Sequence, residues 1–89
     1  MGQILQLLQH SGIKTIAANE KADVQHTKTD MNLPVAVILG SEEKGISPEI
    51  LKKVDIQVKI PIFGKIGSLN VSVAAAIMLY EAIRQKNPD

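Results

Sequence analysis

Polar side chains stand out in two glycine-containing segments, each of which follows a predicted strand. The first, GSEEKGIS, starts at Gly40 and contains an acidic pair that includes Glu42. The second, PIFGKIGSLN, brings Ser68 and Asn70 to the start of a predicted helix. One side chain is enough to cap a helix, so the other would lie where N-terminal N–H groups and partial positive charge can orient a substrate. Because glycine lets the backbone approach a ligand closely, the two segments together predict a binding or catalytic site.

Each segment also has a simpler interpretation. GSEEKGIS can be a strand-to-helix turn with a solvated acidic pair, and Ser68 or Asn70 can be no more than a helix cap. The two glycines of GSEEKGIS are spaced like those of a phosphate-binding loop, but Ile46 stands in place of the required lysine, and two glutamates would repel phosphate. A nucleotide triphosphatase is therefore disfavoured. A generic nucleotide-binding α/β fragment remains an alternative, and its affinity for nucleotide triphosphates would depend on Lys44.

The first half of the sequence predicts one helix and two strands. Apolar residues at helical spacing predict a helix over residues 3–10, and β-branched residues predict a strand over 13–18. The polar stretch 19–32 is expected to be a loop with a short helical turn. Residues 34–40, PVAVILG, form a continuous apolar run, which is typical of a strand buried on both faces. This run is the best candidate for the central strand.

The second half predicts a short helix, a strand and a long helix. Ser47 as N-cap and Pro48 at the first helical position start a helix that should end near Val54. Residues 54–60, VDIQVKI, alternate between apolar and polar types, as a strand with one exposed face does. The last helix starts at Asn70 and is apolar nearly all round in its first turns, so we expect it to be buried between the sheet and another surface.

This alternation of elements predicts the α/β class, with a parallel sheet flanked by helices. In such a sheet, ligands bind beyond the carboxyl ends of the strands, and both glycine-containing segments leave strands at those ends. The predicted site is therefore shared between two loops at one edge. Three strands are few for a parallel sheet, so further strands are expected before the first helix.

Composition limits the classes of function. The chain has 89 residues, which permits one domain, and its formal net charge is +1. Phe63 and Tyr80 are its only aromatic residues, so an RNA partner would find neither a stacking platform nor a basic footprint here. There is no cysteine, and the two histidines, His10 and His26, lack the partners of a zinc site. No apolar run has the length of a membrane span, so a cytoplasmic protein that binds neither metal nor membrane is expected.

Two motifs resemble those of a known family. VILGSEEKGIS, followed after a helix by VKIPIFGKIGSLNVSVAAAIMLYEAIRQ, is similar to the second and third motifs of the SpoU (TrmH-like) RNA 2′-O-ribose methyltransferases in the SPOUT superfamily. The resemblance implies a SPOUT-type α/β fold with a C-terminal trefoil knot, a topology that periodicity alone would not suggest. It also implies S-adenosylmethionine as the cofactor, rRNA or tRNA as the partner, and a homodimer with the C-terminal helix near its interface.

The resemblance carries functional positions over to this chain. Backbone groups in the family hold the adenosyl part of the cofactor at positions that match Leu39, Gly40, Ile60 and Leu69. The family's active-site constellation matches Glu42, Ser68 and Asn70. Methyl transfer from a sulfonium is an in-line displacement that needs alignment and an activated ribose hydroxyl, so hydrogen-bonding side chains of these types suit the reaction.

The sequence departs from the family pattern at the first motif. That motif, an asparagine and glycine followed by a catalytic arginine, is not found here, and Arg84 in the last helix is the chain's only arginine. Residues 1–89 are therefore expected to form the C-terminal portion of a SpoU/SPOUT methyltransferase domain, with motifs 2 and 3 present and motif 1 absent. The parent would be an S-adenosylmethionine-dependent 2′-O-methyltransferase, and the fragment alone would be inactive. The alternative is a knotted binding or dimerisation module that has lost the catalytic arginine.

Overall fold

The computed structural model describes residues 2–41, 44–61 and 70–87. In this part of the chain three α-helices and four strands follow one another with short connections. The helices are α1 (Gly2–His10), α2 (Pro48–Lys53) and α3 (Val71–Lys86), and a 3₁₀ helix spans His26–Lys28. The strands are β1 (Lys14–Ala18), β2 (Val24–Gln25), β3 (Val35–Ile38) and β4 (Ile56–Lys59). The predicted helices and strands are confirmed within a residue or two, and the short turn in the 19–32 loop is preceded by a two-residue strand that the sequence did not indicate.

The four strands form one parallel sheet in the order β2-β4-β1-β3. The expectation that the Pro34–Gly40 run is central is wrong for the described strands, because β3 lies at the edge and β1 lies between β3 and β4. The apolar run indicates that helices cover both faces of β3. It does not indicate that β3 has a neighbouring strand on each side. Lateral order in a sheet depends on crossover connections, and hydrophobicity does not encode them.

Helices cover both faces of the sheet, and each face has its own apolar cluster. Met78 and Ala82 of α3 pack with Ile16, Met31 and Val58 on one face. On the other face Leu5 of α1 packs with two buried sheet residues, Ala17 and Ile38. Neighbouring residues of β1 thus point to opposite clusters, as the twofold period of a strand requires. The α/β class predicted from the alternation of elements is confirmed.

Local signals explain where the helices begin and end. The Ser47 hydroxyl accepts a hydrogen bond from the Ile50 N–H at 3.4 Å, and Pro48 occupies the first helical position of α2. At the end of α1, the Ser11 hydroxyl donates to the Leu7 carbonyl at 2.8 Å. Gly12 then adopts a φ of 81°, the left-handed conformation that terminates many helices.

The amino ends of β1 and β4 are joined by side chains. The Asp55 carboxylate accepts hydrogen bonds from the Thr15 N–H at 2.7 Å and from the Thr15 hydroxyl at 3.0 Å, and the Asp55 N–H donates back to that hydroxyl at 2.9 Å. Gln9 of α1 donates to the same hydroxyl at 3.1 Å and to the Lys53 carbonyl at 2.7 Å. These bonds align β1 with β4 and fix α1 and the end of α2 against them.

The C-terminal turns of α3 are fastened to the segment that leads into β3. The Gln85 amide donates to the Thr29 carbonyl at 2.9 Å and accepts from the Met31 N–H at 2.6 Å, and the Lys86 ammonium donates to the Met31 carbonyl at 2.6 Å. Glu81, only 5% exposed, accepts from the Gln85 amide at 2.8 Å. This network fixes the rotation of α3 about its own axis and thereby which face of the helix packs on the sheet.

Candidate functional site

At the carboxyl edge of the sheet, the start of the first predicted loop and the end of β4, from which the second loop leaves, lie on either side of β1. Ala17 of β1 is paired with Ile38 of β3 and with Gln57 of β4. Two residues further along, the three chains reach Asn19, Gly40 and Lys59 at one level. The ends of β3 and β4 are therefore two strand spacings apart, about 10 Å. A group placed between Gly40 and Ile60 would lie over the end of β1.

Gly40 is required by the packing of its own loop. A Cβ atom at this position would lie 2.2 Å from the Gly45 carbonyl carbon and 2.4 Å from the Ile46 nitrogen. The backbone returns this closely because the Gly45 N–H donates to the Ser41 carbonyl at 2.9 Å, and the Lys44 N–H donates to the Ser41 hydroxyl at 3.0 Å. Gly45 itself has a φ of 67°, which favours glycine. Both glycines of the predicted segment therefore have a structural role.

Asn70 caps α3. Its side-chain oxygen accepts a hydrogen bond from the Ser72 N–H at 2.7 Å, and its carbonyl accepts the first intrahelical bond from the Ala74 N–H at 2.9 Å. The capping interpretation is thus confirmed for Asn70. An active-site role remains compatible with the cap, because the residue is exposed.

The predicted site residues divide between described and undescribed parts of the chain. Leu39, Gly40 and Ile60 are half-buried and lie at the carboxyl edge, which is where the sequence analysis expected the cofactor. Glu42, Ser68 and Leu69 lie outside the described residues, so their roles stay predictions. The trefoil knot stays a prediction for the same reason.

One residue at this edge was not singled out by the sequence. Asn19 follows β1 directly, at the level of Gly40, and its N–H donates to the Val58 carbonyl of β4 at 2.8 Å. In the sequence it is the first residue of a polar loop, where asparagine is common. Only the lateral order of the strands places it between the two predicted loops.

Ranges 2–41, 44–61 and 70–87 contain neither a cluster of metal-ligating side chains nor a helix that could span a membrane. Those residues contain no group of three or more histidine, cysteine, aspartate or glutamate side chains that could hold a metal ion. Among the described helices, none combines the length and apolar character needed to cross a bilayer.

Comparison with known proteins identifies the architecture. The family model described as the SpoU rRNA methylase family matches residues 1–80. A putative TrmH family tRNA/rRNA methyltransferase of Bacillus subtilis, YacO, is 35% identical over 88 residues, which are 99% of this chain and 35% of that protein.

Solved structures of methyltransferases also superimpose on this chain. A crystal structure of an RNA 2′-O ribose methyltransferase superimposes with a TM-score of 0.87 at 34% identity, covering 96% of this chain and 33% of that one. The SpoU methyltransferase AviRb from Streptomyces viridochromogenes, in complex with the cofactor AdoMet, gives a TM-score of 0.88 at 28% identity, covering 99% of this chain and 37% of that one.

A parallel sheet with helices on both faces and a glycine-containing loop at its carboxyl edge is thus the architecture of SpoU-type methyltransferases. The chain belongs to the SpoU rRNA methylase family. It spans about a third of the length of the relatives it matches.

Proposed function

We propose that this chain is part of an S-adenosylmethionine-dependent enzyme that methylates a ribose 2′-hydroxyl of rRNA or tRNA. The main support is that the Gly40 segment and the Ile60 end of β4 lie on the two sides of β1, in a chain that belongs to this family. The relatives support the proposal, since one is named an RNA 2′-O ribose methyltransferase and another holds AdoMet.

The residues present fit an adenosyl group. Leu39, Ile60 and Pro61 provide half-buried apolar surface at the carboxyl edge, while the backbone N–H and C=O groups beyond each strand can meet the polar edge of a purine. The roughly 10 Å between the ends of β3 and β4 is the scale of an adenosine. In the proposed site Leu39, Gly40, Ile60 and Leu69 hold this part of the cofactor.

Bound S-adenosylmethionine would supply the methyl group for an in-line displacement. The ribose oxygen forms the new bond to the methyl carbon while the carbon–sulfur bond breaks, and the hydroxyl proton passes to a base. Glu42, Ser68 and Asn70 would orient the reacting groups. The Asn70 amide is suited to this task because its oxygen is held by the Ser72 N–H, which fixes the direction of its NH₂ group.

The base is not expected from this chain. Arg84 is the only arginine, and its guanidinium is bound to Glu81, with the shorter contact at 2.6 Å. Arg84 also follows Asn70 by 14 residues of helix, about 21 Å along the axis. We therefore propose that the 89 residues alone bind cofactor without transferring methyl groups. The alternative is a knotted binding or dimerisation module whose parent protein has also lost the catalytic arginine, and methyl transfer by that parent would exclude it.

Calorimetry with S-adenosylhomocysteine tests this proposal, and urea unfolding of two Asn70 variants measures the helix cap separately. Asn70→Ala should lower the free energy of unfolding by about 1 kcal/mol, because the cap is lost. Asn70→Asp should keep the cap, since aspartate caps as well as asparagine, while losing the NH₂ donor. We expect the parent and both variants to bind, and labelled methyl transfer to rRNA or tRNA to be absent.

Failure of the folded parent chain to bind S-adenosylhomocysteine would contradict the cofactor assignment. Methyl transfer by the 89 residues alone would contradict the proposed need for an arginine outside this chain.

We further propose that the chain forms a homodimer through the outer face of α3. Four large apolar side chains lie exposed along this face, with Ala76 between them: Val73, Leu79, Tyr80 and Ile83. The sequence predicted a helix covered on two sides, and within the described chain the sheet covers one side only. A continuous apolar stripe on an exposed helix is typical of an interface, and a twofold axis would let the stripe cover itself.

Leu79→Arg should shift the chain from dimer to monomer in sedimentation equilibrium, because a guanidinium would be buried without a partner. Leu7→Arg is the matched control, since Leu7 is 67% exposed on α1 and Leu79 is 54% exposed on α3. An unchanged dimer in the Leu79 variant, or a monomeric parent, would exclude this interface.

A further inference from the structure

Two amide side chains connect the carboxyl end of β1 to β4 and to α2. The Asn19 amide nitrogen donates to the Gln57 side-chain oxygen at 2.9 Å, and the Gln57 amide nitrogen donates to the Leu51 carbonyl at 3.1 Å. The Asn19 side-chain oxygen accepts from the Lys21 N–H at 3.2 Å. Each end of both amides therefore has a partner.

The direction of this chain of hydrogen bonds is fixed. Because the Gln57 oxygen accepts from Asn19, its nitrogen must face the Leu51 carbonyl near the end of α2. Asn19 and Gln57 are diagonal neighbours on adjacent strands, a spacing that long polar side chains bridge. Both residues are half-buried, so water competes less for these bonds than at an exposed position.

The connected elements are those that form the candidate site. β4 leads directly to Ile60, and α2 begins at Pro48, immediately after the loop that contains Gly40 and Gly45. Asn19 lies at the level of Gly40, between the Gly40 segment and the end of β4. Loss of either amide would break the hydrogen-bonded link from the carboxyl end of β1 through β4 to α2, while the Gln9 and Asp55 bonds at the opposite end of the strands would stay in place.

We propose that Asn19, acting through Gln57, is a positioning residue for the cofactor site. Through the hydrogen bonds of its side chain it holds the Gly40 segment and the Ile60 end of β4 at the separation that the adenosyl group needs. This inference rests on the proposed function, because it assumes that the carboxyl edge binds S-adenosylmethionine.

The test compares cofactor affinity with stability in three variants. Asn19→Ala removes the donor, and Gln57→Met removes both polar ends of its side chain while keeping its length. Each should raise the Kd for S-adenosylhomocysteine about tenfold, and the double variant should raise it no further, because both changes break the same connection. The exchange of the two residues, Asn19→Gln with Gln57→Asn, keeps the summed side-chain length and should recover part of the affinity.

Gln25→Ala is the control, since Gln25 is an exposed amide on β2 of the same sheet. Binding is measured at a temperature where urea unfolding curves show every variant to be folded. A variant with lower unfolding free energy and unchanged Kd would show that the amides serve stability alone, which would overturn the inference. If the effects of Asn19→Ala and Gln57→Met on the Kd add up in the double variant, the inference is overturned as well.

Should Asn19→Ala fail to fold, Gln57→Met and the exchanged pair still decide the question. A parent chain that does not bind S-adenosylhomocysteine would instead overturn the proposed function, and so the two failures are distinguishable.

Discussion

Gly40→Ala is expected to destabilise the chain by about 3 kcal/mol, the upper end of what overpacking costs, and to abolish S-adenosylhomocysteine binding. The added methyl group would lie 2.2 Å from the Gly45 carbonyl carbon and 2.4 Å from the Ile46 nitrogen. These are backbone atoms, which cannot rotate away as the end of a side chain can. The loop would have to open, and the half-buried backbone at Leu39 and Gly40 would leave its place beside β1. Urea unfolding and calorimetry measure the two effects.

Gly12→Ala is the matched control for this variant. Gly12 has a φ of 81°, and a Cβ there would have no atom within 4 Å. Its replacement should cost about 1 kcal/mol, the penalty of a left-handed residue, and should leave cofactor affinity unchanged. If the Gly40 variant were as stable as the Gly12 variant and still bound cofactor, the close backbone crossing would not be essential to the site.

The stability of the chain should fall in acid through Glu81. Hydrogen bonds from the Arg84 guanidinium, at 2.9 and 2.6 Å, are the main cause that lowers the pKa of Glu81 from 4.5 to about 2, with a further bond from Gln85 and against an opposing effect of burial. A carboxylate whose pKa is lower in the folded state stabilises the fold at pH values above its unfolded pKa. That contribution is present above about pH 4.5 and is lost as the pH falls towards 2.

We expect a loss of about 1–2 kcal/mol across this range, less than the full pKa shift would give, because Arg84 is exposed and water screens the pair. The Glu81→Gln variant should be less stable than the parent at neutral pH. The difference between the two should shrink as the pH falls from about 4.5 towards 2. Urea unfolding at several pH values measures this difference directly and removes the contribution of the other carboxylates.

Glu20→Gln provides the comparison, since Glu20 is exposed in the loop after β1. Its stability difference from the parent should stay near zero throughout. A difference between the parent and Glu81→Gln that did not change with pH would mean that Glu81 acts through shape and neutral hydrogen bonds alone. The C-terminal end of α3 would then be held mainly by Gln85 and Lys86.

The sequence located the elements and the loops because each depends on local chemistry. Ser47 and Pro48 start α2 through their own hydrogen-bonding and backbone geometry, and Asn70 caps α3 for the same reason. Alternation in VDIQVKI located β4, but the predicted exposed face is wrong, because helices cover both faces of the sheet and Gln57 and Lys59 are half-buried. The two glycine-containing segments could be placed at one edge in advance, since parallel strands all present their carboxyl ends there.

The lateral arrangement could not be obtained in the same way. β3 has the more apolar sequence, whereas β1, with Lys14 and Thr15 among its five residues, occupies the inner position. Thr15 is tolerated there because Asp55 and Gln9 satisfy its hydroxyl, and those partners are far away in the sequence. A polar residue in a strand therefore does not by itself indicate an exposed position, because residues that are distant in the sequence can satisfy its hydrogen bonds.

The sequence by itself determined the α/β class, the limits of the helices and strands, the family motifs and the capping residues. Each of these rests on backbone geometry and hydrophobic periodicity within a few positions. Tertiary structure alone decided that Gly40 must admit the backbone of Gly45 and Ile46, that Asn19 stands between the two loops, and that one face of α3 is left apolar and exposed. These features depend on strand order and on atoms from distant segments meeting within a few ångströms, which no local pattern of residues specifies.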